Sequence, residues 1–371
     1  MSRMDMTGLS AAHRRLLLLL IQQGPLRRRE LGALMDLSPG SITRLTKPLE
    51  GRGLVVATSE QVNATGRPVH RLEAALPAET IVGVSLSGEA LRVVRTDLRG
   101  RTLGVAAGVL DSAEPTSVVA RIGDLVEGLT GEQPDSRTVG LGVGVSGIVR
   151  GGRDVVRSLH LGDRLVPLGR MLEERLGISC VVANDVAAVA LDEAWFGVGR
   201  DVGSFLVVTV GEGVGGAAVF RGVVPDAEAH GIGLLGHLPV AGPDGRMVRA
   251  GQTLTDAALL RRAASAGSAA TTAAEVAAGL DAAAVTACRE FAWACGSLVA
   301  TGAAFVVPDA VVLLGERAGV VAAYRADFDE GVASAREGVA PPLAVTIRAH
   351  DRDVWAHGAA VAALVAHVSR P

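Results

Sequence analysis

The chain has 371 residues, 49 % of them apolar and 20 % charged, with a formal net charge of −3. That composition excludes a disordered or fibrous protein and leaves room for two or three packed domains. The near-neutral total hides an asymmetry: Arg and Lys outnumber Asp and Glu by 11 to 7 through residue 80 and trail them by 25 to 32 beyond it, so only the amino-terminal segment has the electrostatics of a nucleic-acid partner.

Three cysteines, Cys180, Cys288 and Cys295, are too few and too widely spaced for a disulfide framework or a four-cysteine metal site, which fits a reducing cytoplasm. The apolar run at 16–21 is too short to cross a bilayer and lacks the cleavage pattern of a secretory signal. The uncharged stretch 291–308 approaches membrane length. Gly296, Ser297, Thr301 and Gly302 interrupt it and Pro308 closes it, so it reads as a buried helix of an α/β domain.

Ser10 predicts the N-cap of a first helix running to about Gln23, with Leu16, Leu17, Leu20 and Ile21 at core spacing and Gly24-Pro25 as the stop. A second helix over 28–35 is expected to turn Leu31, Leu34 and Met35 inward. The third starts with Ser38 as cap and Pro39 at the first helical position, where its missing N–H costs nothing. Ile42, Leu45 and Leu49 recur at i, i+3 and i+7 as its packing stripe, leaving Ser41, Arg44 and Lys47 on a different face. Pro48 removes the hydrogen bond to the Arg44 carbonyl and predicts a helix in two pieces. Strands at 54–57 and 69–72 complete a winged helix-turn-helix.

In such a module the N-terminal residues of the third helix meet base edges in the major groove while basic flanks hold phosphates. Ser38, Gly40, Ser41, Thr43, Arg44 and Lys47 are therefore candidate DNA contacts. Arg44 suits bidentate contact with guanine, Ser41 a base or a phosphate, and Lys47 the backbone. Arg67, in Gly66-Arg67-Pro68 at the wing tip, suits a narrow minor groove. The competing reading is a merely solvated face of a small helical subdomain.

From residue 81 onward strands broken by glycine turns alternate with Ala-rich helices. Strands are expected at 81–84, 91–97, 139–145 leading into Ser146-Gly147, 180–183 leading into Asn184-Asp185 and a helix over 186–196, 205–210, 217–220 and 310–314 before Gly315. Gly211-Glu212-Gly213-Val214-Gly215-Gly216 reads as the turn between two of them. The pattern implies an α/β fold with two similar lobes.

The winged module with its Gly-Arg-Pro, the Asn184-Asp185 step followed by Glu193 and Gly197, the 211–216 loop, Gly236-His237, and the stretch 355–360 occur in an order that resembles the ROK family over nearly the whole chain. The resemblance implies a winged helix-turn-helix at 1–76 and a two-lobed actin-like ATPase (ROK) domain at 77–371. Family kinases phosphorylate a hexose bound between the lobes, and family repressors sense a sugar there. Carried over residue by residue, Asn184 corresponds to the sugar-binding Asn and Asp185 to the catalytic base, although either could equally cap the following helix. Ser146, Gly147, His160 and His237 join them as candidate effector contacts, His237 being as readable as a buried structural histidine.

Where the family's first phosphate motif has Asp-x-Gly-Gly-Thr, this chain has Ser85-Leu86-Ser87-Gly88-Glu89, and its second phosphate loop carries Glu212. A carboxylate about 4 Å from a phosphate oxygen repels it by about 4 kcal/mol per unit charge at an effective dielectric near 20. Kinase activity is therefore not expected. The family's zinc site keeps only His237, since 238–256 contains no cysteine, so no metal is expected. Leu234 replaces a sugar-gripping Glu, a second such Glu is missing near Leu254 and Thr255, and His160 stands where many relatives have Asn, which points to a modified or less hydroxylated ligand, or to none at all. The combined expectation is a cytoplasmic DNA-binding regulator, a homodimer or homotetramer on a palindromic operator, with a sugar or sugar-phosphate effector and no cofactor; the alternative is a sugar kinase with a fused DNA-binding domain.

Overall fold

The structure, a computed structural model, describes residues 6–60, 69–87, 90–131, 136–225, 235–241, 246–338 and 340–369. They fold as two compact units, Met1–Phe196 with Asp353–Pro371, and Gly197–Arg352.

The first unit opens with three helices. In α1 (Ala11–Gln23) the Ser10 hydroxyl accepts from His13 N–H and Nδ1 of the His13 ring faces Ser10 N–H, closing a capping box. Leu16, Leu17, Leu20 and Ile21 are buried, as expected. In α2 (Arg28–Met35) Leu31 and Met35 are buried but Leu34 is 46 % exposed, contrary to expectation. The reason is Gly32: a Cβ there would stand 2.8 Å from the Leu37 carbonyl, so the face centred on 31, 32 and 35 packs on the turn into the next helix and Leu34 is carried outward.

Helix α3 (Pro39–Gly51) runs unbroken through Pro48, which corrects the two-piece expectation. Pro48 lies on the exposed side in the last turn, and the chain recovers at once: Arg52 N–H donates to the Pro48 carbonyl at 3.1 Å and Leu54 N–H to that of Leu49 at 2.9 Å. The buried stripe is Ile42, Thr46 and Leu49, with Leu45 only half-buried. Thr46 satisfies its buried hydroxyl by donating to the Thr43 carbonyl at 3.2 Å. Strands β1 (Val55–Glu60) and β2 (Val69–Ala74) pair antiparallel as the wing. The tip, with Gly66, Arg67 and Pro68, lies outside the described residues.

A five-stranded sheet follows, in the order β5-β4-β3-β6-β9. Its members are β3 (Glu79–Ser87), β4 (Ala90–Asp97), β5 (Thr102–Val109), β6 (Arg137–Val145) and β9 (Cys180–Asn184); a hairpin of β7 (Gly147–Arg150) and β8 (Asp154–Ser158) is inserted after β6. The first three strands are antiparallel, while β3, β6 and β9 are parallel. One face is covered by α4 (Pro115–Gly131) and α5 (Leu168–Leu176), whose Val118, Ile122, Leu168 and Leu172 join the sheet's core. On the other face β3 and β6 are overlain by the C-terminal helix, numbered α10 below (Val354–Ser369). It can do so because Gly83 and Gly142 have no side chain: a Cβ would stand 1.9 Å from the Ala356 carbonyl and 1.8 Å from that of Ala359. Helix α6 (Asp185–Trp195) packs in turn against α10.

The three-helix module is tied to this layer by specific bonds. The buried Arg14 donates to the carbonyls of Met6, Leu9 and Val368. Gln22 of α1 donates to the Ala194 carbonyl at the end of α6, at 2.7 Å. Arg99, in the β4–β5 turn, reaches Glu73 and the Ala74 carbonyl of β2.

The second unit has a four-stranded sheet in the order β11-β10-β14-β15. Strand β10 (Ser204–Val210) pairs antiparallel with β11 (Val214–Phe220) and parallel with β14 (Ala310–Leu314), and β14 pairs parallel with β15 (Val345–Ile347). A small hairpin, β12 (Pro239–Ala241) and β13 (Met247–Arg249), lies between. Helix α7 (Asp256–Ser265), the long α8 (Ala282–Val306) and α9 (Arg325–Ser334) complete the unit. A hairpin continued by parallel strands thus occurs in both units. The stretch 291–308 falls mainly in α8 and is largely buried among α/β core residues. Among the described residues no helix is long and apolar enough to cross a membrane. Cys288 and Cys295 are buried there, and burial pushes both thiols up, Cys288 to about 11.

Candidate functional sites

The exposed side of α3 is built by capping. Ser38 holds extended backbone, its hydroxyl accepts from Ser41 N–H at 3.2 Å, and the two hydroxyls are 3.0 Å apart. Arg44 then donates from Nη2 to the Ser41 hydroxyl at 3.3 Å, so three side chains over nearly two helical turns form a hydrogen-bonded line ending in a guanidinium. Gly40, Thr43, Arg44 and Lys47 are all exposed, at the i, i+3, i+4, i+7 spacing of a single face, opposite the buried stripe. Ser41 is half-buried and already partnered, which makes it a support for Arg44. Thr43 donates its hydroxyl to the Pro39 carbonyl at 3.0 Å.

A second cluster lies at the carboxyl ends of the parallel strands β6 and β9. Asn184 is the last residue of β9 and the N-cap of α6: its carboxamide oxygen accepts from Ala187 N–H at 3.0 Å, and its amide donates to the Gly147 carbonyl, also at 3.0 Å. Capping and a further role are thus combined in one side chain, since the amide retains a second proton. Asp185 opens α6 and accepts from Val186 N–H at 2.8 Å. Ser146 takes the Leu159 N–H on its carbonyl, and His160 is held by its own N–H to the Ser158 hydroxyl at 3.2 Å. Ser146, Gly147, His160, Asn184 and Asp185 are therefore gathered on one edge of the first unit, each half-buried. Crevices at the carboxyl ends of parallel strands are the recurring ligand positions of such sheets.

Glu173 fixes the opposite end of β9. Its carboxylate accepts from Cys180 N–H at 2.9 Å, where β9 starts, and from both guanidinium arms of Arg153. Burial alone would raise its pKa, but the Cys180 N–H and the Arg153 charge outweigh that and hold it below the usual carboxylate range.

In the second unit His237 is exposed in a single helical turn before β12, which removes the buried structural reading. The glycine loop is shorter than expected: Val214, Gly215 and Gly216 already belong to β11, and the turn is Gly211-Glu212-Gly213. A Cβ on Gly211 would stand 1.9 Å from Oε2 of Glu316, so that carboxylate lies against the loop. Asp256 N–H donates to the Gly211 carbonyl at 2.7 Å, and Asp256 is paired in bidentate fashion with Arg317 at 2.8 and 2.7 Å. Of the first phosphate motif, Ser85 and Ser87 end β3, and Gly88 and Glu89 fall outside the described residues, as does Leu234. Leu254 is fully buried and Thr255 caps α7. No cluster of possible metal ligands occurs among the described residues.

A winged helix-turn-helix on a two-lobed actin-like body defines the class of this protein. The chain belongs to the ROK family, whose sequence model matches residues 82–364, and a model of the MarR family matches residues 9–60. It is 24 % identical over 225 residues to the DNA-binding transcriptional dual regulator NagC of Escherichia coli (strain K12), covering 60 % of this chain and 55 % of that one. The chain spans about half the length of the curated relatives it matches. Among solved structures it is similar to a ROK family transcriptional regulator, a homolog of the E. coli MLC protein, with 20 % identity, 96 % of each chain covered and a TM-score of 0.76. It is also similar to a ROK family glucokinase from Streptomyces griseus, with 23 % identity, 76 % of this chain and 99 % of that one covered and a TM-score of 0.63.

Proposed function

We propose that this chain is a cytoplasmic DNA-binding transcriptional regulator, a repressor, that reads a palindromic operator as a homodimer or homotetramer and responds to a sugar or sugar derivative without phosphorylating it. Residues 1–76 carry the DNA contacts Ser38, Gly40, Thr43, Arg44, Lys47 and Arg67, with Ser41 as their support, and 77–371 the sensing domain. The observation that carries the reading is the outward stripe of α3. Its side chains contribute nothing to the buried core, yet a chain of hydrogen bonds from the helix cap aims Arg44. A face that was only solvated needs no such support.

Two further observations support the regulatory half. The edge formed by Ser146, Gly147, His160, Asn184 and Asp185 offers donors and acceptors suited to hydroxyl groups. Helix α6 starts there and its end is hydrogen-bonded to Gln22 of α1, giving ligand binding a contiguous route of helix and hydrogen bond to the reading head. Against kinase chemistry stands the glycine loop, where Glu212 and Glu316 put two carboxylates beside the place a phosphate would take.

Binding of the full-length protein to promoter fragments, followed by fluorescence anisotropy over a salt series, tests the proposal. Arg44→Ala is expected to cost about 1–3 kcal/mol and to relax preference at one base pair, whereas Lys47→Ala weakens all sequences alike and flattens the salt slope. Indifference to every fragment at low ionic strength, or brisk ATP consumption with any of a panel of hexoses, refutes it, the second outcome in favour of a kinase.

A further inference from the structure

Thr43 stands in the middle of the α3 stripe, exposed, with its hydroxyl donating to the Pro39 carbonyl one turn back at 3.0 Å. A hydroxyl has one proton, and that bond uses it. With that bond made, what Thr43 presents outward is a methyl group and an acceptor oxygen. The neighbours on the stripe differ in kind: Gly40 has no side chain, and Arg44 and Lys47 are cations. Thr43 thus carries the one methyl group among these four positions, and nothing in the core uses it. In the major groove the distinctive apolar feature is the C5 methyl of thymine.

Resting on the DNA-reading proposal above, we infer that Thr43 selects thymine through methyl–methyl contact, at a position within two base pairs of the guanine taken by Arg44. Residues 43 and 44 are adjacent on the helix, and a rise of about 1.5 Å per residue is less than one base step of about 3.4 Å, so the two contacts fall on neighbouring pairs. The hydroxyl serves only to hold the methyl in place.

The test starts from duplexes selected out of a random pool by the full-length protein. In the bound consensus each thymine is replaced singly by deoxyuridine, which removes only the C5 methyl. One replacement per half-site, next to or one pair removed from the guanine that loses its preference in Arg44→Ala, is expected to weaken binding about fourfold, the loss expected from one methyl contact. Thr43→Val, which keeps a methyl and loses the oxygen, retains that sensitivity; Thr43→Ser, which keeps the oxygen, binds thymine and uracil duplexes equally. Insensitivity of the wild-type protein to every replacement overturns the inference without any variant being made, and so does a Thr43→Ser protein that still distinguishes the two bases. A pool that yields no consensus at all overturns the DNA-reading proposal itself, and this inference with it.

Discussion

At the seam between the five-stranded sheet and α10, a Cβ on Gly142 would stand 1.8 Å from a helix carbonyl; on the outer side of α3, one on Gly40 would meet nothing nearer than the Ser38 hydroxyl, at 4.0 Å. The same residue type thus has opposite explanations in two parts of one unit. At the seam, packing forbids anything larger. On α3 the fold would accept a side chain and gain helix propensity from it, so nothing within the fold requires residue 40 to be small, and the proposed DNA-reading role supplies a reason: close approach of a duplex backbone or base edge. Arg44 and Thr43 share that character: they are placed with care but bury nothing.

Four substitutions sharpen or break this contrast. The largest effect is expected from Gly142→Ala, which forces α10 off the sheet and should destabilise by about 3 kcal/mol in denaturant titrations; a neutral result would mean the seam relaxes easily and the contrast is false. Gln22→Ala removes the bond that joins α1 to the end of α6 and should lower stability by about 1 kcal/mol. The same variant should keep operator affinity without effector while weakening the response to it, read as the shift in anisotropy midpoint on adding sugar. Gly40→Ala should raise stability by about 0.5 kcal/mol and nevertheless reduce DNA affinity; if affinity is unchanged, no close approach occurs there. Glu173→Gln should lower stability slightly at neutral pH and converge with the wild type in acid. The Glu173 pKa is lowered in the folded state, so its stabilising share is present above the ordinary Glu value of about 4.3 and fades as pH falls through the folded one. The variant should therefore flatten the acid limb of the melting curve while leaving DNA binding intact.

Much of the winged module was legible because its signals are local. Ser10 and Ser38 as caps, Pro39 at the first helical position, and Gly24 as a stop act within four residues of where they stand. The strand into Asn184-Asp185 was legible for the same reason, since a β-rich run meeting an Asn before an Ala-rich stretch predicts strand, cap and helix in order. The failures came where a neighbour decided. Leu34 fits the spacing of a buried position, but the close approach of Leu37 to Gly32 rotates that face away. Thr46 is buried although a polar residue does not read as core, because its hydroxyl is satisfied by a carbonyl of its own helix. Pro48 reads as a break, but near a helix end, on the exposed side, the lost hydrogen bond does not stop the helix.

The amino-acid order alone determined the helix and strand succession, the charge contrast between the two ends, and the choice of side chains along α3, because capping, periodicity and net charge are read over a few residues. Only the tertiary structure decided that Glu316 lies against Gly211 and that α6 ends on Gln22. Both depend on where backbone from elsewhere in the chain comes to rest, and a close approach or a hydrogen bond across 105 or 172 positions leaves no periodic trace in either segment.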